Sequence, residues 1–210
     1  MTKIKICGLK RLIDAEYVNE VMPEYAGFVF WDRSSRNVTY DEAKSIREHI
    51  DEQIQSVGVF VDADIDFIAK LVTDNIISCV QLHGKESDEY ILKLRNIIGS
   101  RAMIIKAYEV KDASDIDRAN NSIADMILVD SGKGSGNAFD WSVLKDIKRE
   151  YFLAGGLSQD NVSAAIDMLR PYAVDVSSKV ETDGCKDIEK IRKFCGAVRS
   201  QNGGNDGIKG

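Results

Sequence analysis

Two residues of opposite chemistry close two apolar runs of the chain: Cys7, at the end of KIKIC, and Asp130, at the end of ADMILVD. A thiol biased toward thiolate by nearby positive charge can take a proton from carbon. A carboxylic acid across a pocket can give one to oxygen. Placed together they form a general base and a general acid, each worth roughly 10²–10⁴ in rate. Gly8, directly behind the thiol, permits a tight exit and leaves room for a substrate against backbone. Each residue also has an ordinary use, cysteine as a small core side chain and aspartate as a loop or helix cap.

The remaining candidates grip rather than react. Arg36 follows WDRSS and carries a guanidinium able to fork onto a carboxylate, or else lies in solvent. His83, in QLHG, is either a substrate contact or a neutral histidine bonded at a rim, and a lone histidine is given no metal role. LAGGLSQDNV sets Gly155 and Gly156 before a helical segment with Ser158 as its cap. Backbone N–H groups at such a start cradle a phosphate, the alternative being a bare turn. Ser177 and Ser178 close the run YAVDVSS, two residues after Asp175. SGKGSG (131–136) lacks phosphate-loop spacing and reads as a flexible connection beside the site.

The elements that must position these residues are eight apolar runs: 3–8, 25–30, 54–61, 77–84, 102–108, 124–131, 151–157 and 172–178. Their near-continuous aliphatic character is that of parallel strands covered on both faces. Between them lie amphipathic segments. IDFIAKLVTDN places Ile65, Ile68, Ala69 and Val72 on one face, and DEYILKLRNII aligns Tyr90, Leu94 and Ile98 with Ile91 close by. Ser87 and Asp140 read as further caps. Eight strand–helix units predict a single (β/α)₈ TIM barrel of eight parallel strands in an outer ring of helices, spanning 1–200. A polar, glycine-rich tail, 201–210, is expected to be mobile. The absence of GxGxxG after the first run weakens a Rossmann alternative.

In such a barrel, function gathers at the C-terminal ends of the strands, with phosphate held after the seventh and eighth. Side chains alternate along a strand. If Cys7 faces inward, Lys5 does too and Ile4 and Ile6 face the helices; on the sixth run Met126, Leu128 and Asp130 point inside.

A formal net charge of −6 leaves no basic field for nucleic acid or an anionic membrane, so an anionic substrate must be held by local donors. Four cysteines without paired spacing, and only two histidines, read as reduced thiols rather than a disulfide frame or metal site. Cys79, Cys185 and Cys195 read as structural. No run approaches the ~20 apolar residues of a membrane span, and the chain starts straight into strand-like sequence. The expectation is a soluble, cytoplasmic protein.

KICGL, GFVF followed by SSR, VGVFV, QLHG, LVDS, GSGNAFDW, LAGGLSQDNV and VDVSSKVE occur in this order over residues 3–199. Together they closely resemble the phosphoribosylanthranilate isomerase family of tryptophan biosynthesis. The resemblance implies a barrel that needs no cofactor. It implies the Amadori rearrangement of N-(5-phosphoribosyl)anthranilate to 1-(2-carboxyphenylamino)-1-deoxyribulose 5-phosphate. It carries the general base onto Cys7, the general acid onto Asp130, and the arginine that binds the anthranilate carboxylate onto Arg36. Phosphate contacts fall on Gly155, Gly156, Ser177 and Ser178, with Asp175 and His83 as candidates to orient sugar hydroxyls. The implied partners are the small-molecule substrate and, as an open question, other enzymes of the tryptophan pathway.

Two departures stand out. Lys179 occupies a place where the family usually has glycine, so its side chain either turns to solvent or supplements the phosphate site. The GKGSG stretch is longer than the family's usual form. Among rivals, indole-3-glycerol phosphate synthase would bring a catalytic lysine and glutamate at strand ends, and a ribulose-phosphate epimerase would bring metal-binding histidines. Neither set is evident. A catalytically silent barrel that only binds a phosphorylated metabolite is the third alternative.

Overall fold

Near-continuous apolar runs form strands that must be covered on both faces, and eight such strands close on one another. The computed structural model describes residues 1–130 and 141–203. Its strands are β1 (Lys3–Cys7), β2 (Tyr25–Phe30), β3 (Gln55–Phe60), β4 (Cys79–Leu82), β5 (Met103–Glu109), β6 (Met126–Asp130), β7 (Tyr151–Ala154) and β8 (Ala173–Val176). They pair in sequence order, all parallel, and β1 closes the barrel onto β8 with Lys5 opposite Asp175. The predicted (β/α)₈ TIM barrel is the fold observed.

Helices α1 (Leu12–Val21), α2 (Tyr40–Arg47), α3 (Ile65–Thr73), α4 (Asp88–Ile98), α5 (Ala113–Asn120), α6 (Val162–Leu169) and α7 (Ile188–Gly203) cover the outside. In the sixth crossover the described residues form a 3₁₀ turn, Trp141–Asp146. Helix α7 carries three residues into the segment expected as a tail, while 204–210, the 131–136 stretch and the Asp140 cap lie outside the described residues.

Local chemistry sets the helix starts. Ser87 Oγ accepts from Tyr90 N at 3.3 Å, and Thr39 and Glu42 form a reciprocal capping box; such caps are worth about 1 kcal/mol each. Ser158 is a correction. The helix starts three residues after the expected point, with Asn161 at its N-cap, because the chain first makes a turn in which Ser158 Oγ accepts from Asp160 N.

The strand pleat sorts side chains into two cores. Ile4, Ile6, Ile127 and Val129 pack outward among the helices. Tyr25, Val57, Cys79, Ile105, Leu128 and Phe152 fill the barrel interior with Met126 packed against them. At the N-terminal end, Tyr25 and Tyr172 meet edge-on with Phe152, at 5.1 and 5.6 Å, and share a 3.0 Å hydroxyl contact. That end is plugged, so open space collects at the other. Among the described residues no helix is long and apolar enough to cross a membrane.

Candidate active site

The period-two alternation of β1 turns Lys5 and Cys7 inward while Ile4 and Ile6 anchor the strand outside. Cys7 is 7% exposed and Lys5 fully buried. Lys5 Nζ lies 2.8 Å from Asp175 Oδ2 on the neighbouring strand β8. A buried ammonium needs such a partner. Burial disfavours the charged ammonium, but Asp175 and Cys7 together hold Lys5 above its ordinary value. Burial pushes the Asp175 carboxyl up against the pull of Lys5. Its second oxygen, Oδ1, has no hydrogen-bond partner among the described residues.

Burial also pushes the Cys7 thiol up, opposed chiefly by Lys5 and then by Lys186. The sulfur occupies space that only a glycine opposite leaves open, since a Cβ on Gly27 of β2 would lie 2.9 Å from it. Gly8 has φ +86°, a conformation other residues rarely adopt, and a Cβ there would meet Arg36 Cδ at 2.5 Å. The strand exit is therefore bent sharply toward the arginine.

Arg36, on the loop after β2, does fork onto a carboxylate, but of its own chain. Nε and Nη2 donate to Glu181 Oε1 and Oε2, both at 2.7 Å. Two of its five donors are used, which leaves the Nη1–Nη2 edge for a second carboxylate. Glu181 also accepts from Lys186 Nζ at 2.7 Å. Burial alone would raise its carboxyl, yet the two cations bring it below the usual glutamate value.

Glu181 and Lys186 are the site residues that sequence reasoning missed. They lie on a hairpin after β8, β9 (Glu181–Thr182) and β10 (Cys185–Lys186). Its two-residue turn, Asp183-Gly184, has φ of +51° and +72°. Asp-Gly is the sequence signal for such a turn, and it is present in VETDGCK.

Asp130 ends β6 with its side chain about 30% exposed. His83 follows β4, and its Nε2 stands 3.9 Å from Asp130 Oδ2. Gln81 Nε2 lies 2.9 Å from His83 Nδ1, which leaves Nε2 as the ring nitrogen that faces Asp130. Burial pulls the imidazole below its ordinary value, outweighing Asp130, so His83 is neutral at pH 7. The loop carrying it is locked by a second buried pair, Lys106 Nζ to Glu86 Oε2 at 2.9 Å, with Lys106 also donating to Gly84 O at 2.8 Å. A cavity of about 1110 Å³ opens on this side, lined by His83, Lys106, Tyr108 and Asp130 among others.

The two phosphate candidates stand at the ends of adjacent strands. Gly155 and Gly156 follow β7 with φ of +94° and +64°. They belong to a turn and not to the first turn of α6, as Asn161 Nδ2 donating to Gly156 O at 3.1 Å makes plain. Ser177 precedes a short 3₁₀ helix, Ser178–Val180, and its hydroxyl donates to Cys7 O at 3.0 Å. Lys179 is exposed. Cys79 lies in the barrel interior, Cys195 in the outer core and Cys185 half-buried on β10.

Fold and site define a (β/α)₈ barrel whose mouth combines a buried thiol, a half-exposed carboxyl and an anchored guanidinium. A family model for N-(5′-phosphoribosyl)anthranilate (PRA) isomerase matches residues 4–197. The N-(5′-phosphoribosyl)anthranilate isomerase of Endomicrobium trichonymphae is 45% identical over 202 residues, covering 95% of this chain and 100% of that one. That of Acetivibrio thermocellus is 42% identical over 97% of this chain and 99% of its own. The crystal structure of phosphoribosyl anthranilate isomerase from Thermotoga maritima superposes with a TM-score of 0.85 at 36% identity, covering 95% of this chain and 100% of that one. A crystal structure of a phosphoribosyl anthranilate isomerase in complex with reduced 1-(o-carboxyphenylamino)-1-deoxyribulose 5-phosphate gives 0.83 at 36% identity and the same coverage. The chain belongs to the N-(5′-phosphoribosyl)anthranilate isomerase family.

Proposed function

We propose that this chain carries out, in the cytoplasm and as a step of tryptophan biosynthesis, the isomerisation for which its family is named. It converts N-(5-phosphoribosyl)anthranilate to 1-(2-carboxyphenylamino)-1-deoxyribulose 5-phosphate. The observation that carries the chemistry is Cys7 on β1, sealed among cations, at the same barrel mouth as the more exposed Asp130 on β6.

Asp130 protonates the ribose ring oxygen as the anilino nitrogen lone pair expels it, breaking the C1′–O bond to give a cationic imine. That cation acidifies C2′–H, and the Cys7 thiolate removes the proton to leave an enolamine. A proton is then delivered to C1′ while the C2′ hydroxyl loses its own, giving the ketone. C1′ is reduced as C2′ is oxidised, so no external redox partner enters. The residual Arg36 edge takes the anthranilate carboxylate. The turns at Gly155, Gly156, Ser177 and Ser178 take the phosphate by backbone N–H groups and the Ser178 hydroxyl, the Ser177 hydroxyl being held by Cys7 O. Asp175, beside Cys7, and His83, at the edge of the cavity, orient the sugar hydroxyls. Holding the substrate at both poles keeps the reacting carbons between acid and base.

The test is fluorescence-monitored consumption of phosphoribosylanthranilate by the purified chain, beside Cys7→Ala and Asp130→Asn. Both variants should lose about 10²–10⁴ in turnover. Near-normal rates in either remove that residue from the chemistry, and no consumption by the parent chain removes the activity.

A further inference from the structure

An arginine matched one-to-one with a carboxylate is electrically neutral. The Arg36–Glu181 fork is such a pair, and Glu181 is 6% exposed in its side chain. Left alone, it offers a second carboxylate hydrogen bonds but no net charge. Lys186 changes the sum. Its ammonium, 1% exposed, sits 2.7 Å from the Glu181 oxygen that already takes Arg36 Nε, and 3.1 Å from Ser177 O. Burial pulls the Lys186 ammonium below its ordinary value, with Glu181 opposing; with it charged, Arg36, Glu181 and Lys186 total +1, and the β9–β10 hairpin is pinned in place by Arg11 Nη2 donating to Lys186 O at 2.7 Å.

The same hairpin brings Lys186 to the strand end that carries the thiol: its Nζ donates to Ser177 O at 3.1 Å, and the Ser177 hydroxyl donates to Cys7 O at 3.0 Å. The charged groups facing Cys7 are Lys5 on its own strand, Asp175 on β8, Arg36 on the loop after β2, and Lys186 on β10. Glu181 neighbours the last two. Lys5 is matched by Asp175 and Arg36 by Glu181, so Lys186 is the cation left over. One surplus positive charge is what a thiolate, or the carboxylate of an incoming ligand, needs in a desolvated site.

Resting on the reading of Cys7 as base and Arg36 as carboxylate binder, we propose that Lys186 is a positioning residue that acts on both. By balancing Glu181 it keeps the Arg36 arm a net cation for the substrate carboxylate, and by its own charge it favours the Cys7 thiolate. Glu181 in turn orients Arg36 and tethers Lys186.

A charge-rescue series tests this, with KM for phosphoribosylanthranilate and the pH dependence of iodoacetamide alkylation at Cys7, read by peptide mass spectrometry, as the two measurements. Lys186→Met should raise KM about tenfold or more and move the alkylation midpoint up by about one pH unit. Lys186→Arg should hold both within about threefold of the parent. In Glu181→Gln/Lys186→Met the arm again totals +1, so KM should return to within about fivefold of the parent. A double variant as impaired as Lys186→Met overturns the electrostatic role, since a structural role gives no reason for rescue. A Lys186→Met alkylation profile identical to the parent's overturns the action on the thiol. Arg36→Met separates the layers. If it leaves KM unchanged, the carboxylate assignment itself fails; if it raises KM while Lys186→Met does not, only the inference about Lys186 fails.

Discussion

On the β1–β8 side of the mouth, Cys7 is 7% exposed amid three cations and two carboxylates, paired at 2.7 to 2.8 Å. On the β4–β6 side, the His83 and Asp130 side chains are 37% and 30% exposed, stand 3.9 Å apart and open onto the large cavity. The contrast matches the two tasks proposed. A carbon base has to be an anion in a place that water does not stabilise, so fixed cations must do so. An acid that is spent in each turnover must recover its proton, and contact with solvent supplies one. Cations set around the thiol on one side and solvent access at the acid on the other are two answers to opposite proton traffic.

The strongest way to break this comparison is to keep the shape of the thiol and remove its acidity. Cys7→Ser places a hydroxyl of similar size among the same cations, yet its proton is far harder to lose. Turnover should fall by more than about 10², close to Cys7→Ala. A serine variant retaining a tenth of the parent rate would mean that the residue is a spacer and that the cation cluster has another purpose.

Next in size is the cluster itself. Lys5→Met removes one half of a buried pair and strands Asp175 without its counter-ion. Breaking such a pair costs about 3–5 kcal/mol, to be read from denaturant midpoints. Lys5→Met/Asp175→Leu should recover most of it, because a matched apolar replacement leaves no lone charge. A single variant with unchanged stability would show that the pair is solvated.

The barrel was legible because burial on both faces demands apolar runs, and eight of them are printed in the sequence. Cys7 and Asp130 were legible as run ends, with alternation setting Cys7 on one face with Lys5 and Asp130 on one face with Leu128 and Met126; closure of the barrel turned those faces inward. The Arg36 fork was read in kind but not in partner: nothing near Arg36 announces Glu181, which is 145 residues away and arrives only when β1 closes onto β8. Lys186 was missed for the same reason, although Asp183-Gly184 marks the hairpin that delivers it. The Ser158 cap failed because a turn and a helix start use the same residue types, and the difference lies in backbone angles. Lys106 and Glu86, which hold the His83 loop, form a pair only after β4 and β5 align.

A smaller effect sharpens the buried side. Burial holds the Cys7 thiol above its ordinary value, with Lys5 and Lys186 opposing. In the free protein the reactive thiolate is then the minor form at neutral pH, and its fraction grows as pH rises. Alkylation of Cys7 should accelerate about tenfold per pH unit from pH 6 to 8. A rate flat across that range would mean that the cations outweigh burial and the thiolate is already formed.

The smallest effect belongs to Lys179. Its side chain is exposed on the 3₁₀ turn Ser178–Val180 at the rim, unlike the sealed Lys186 seven residues further on. An ammonium in solvent is screened within about 8 Å at physiological salt, and exposed ion pairs are worth at most about 1 kcal/mol. Lys179→Gly should therefore change KM by less than about threefold, and raising the salt concentration should erase the difference. A tenfold rise in KM that persists at high salt would place this ammonium directly on the phosphate. The rim would then use a fixed cation as the Cys7 side of the mouth does.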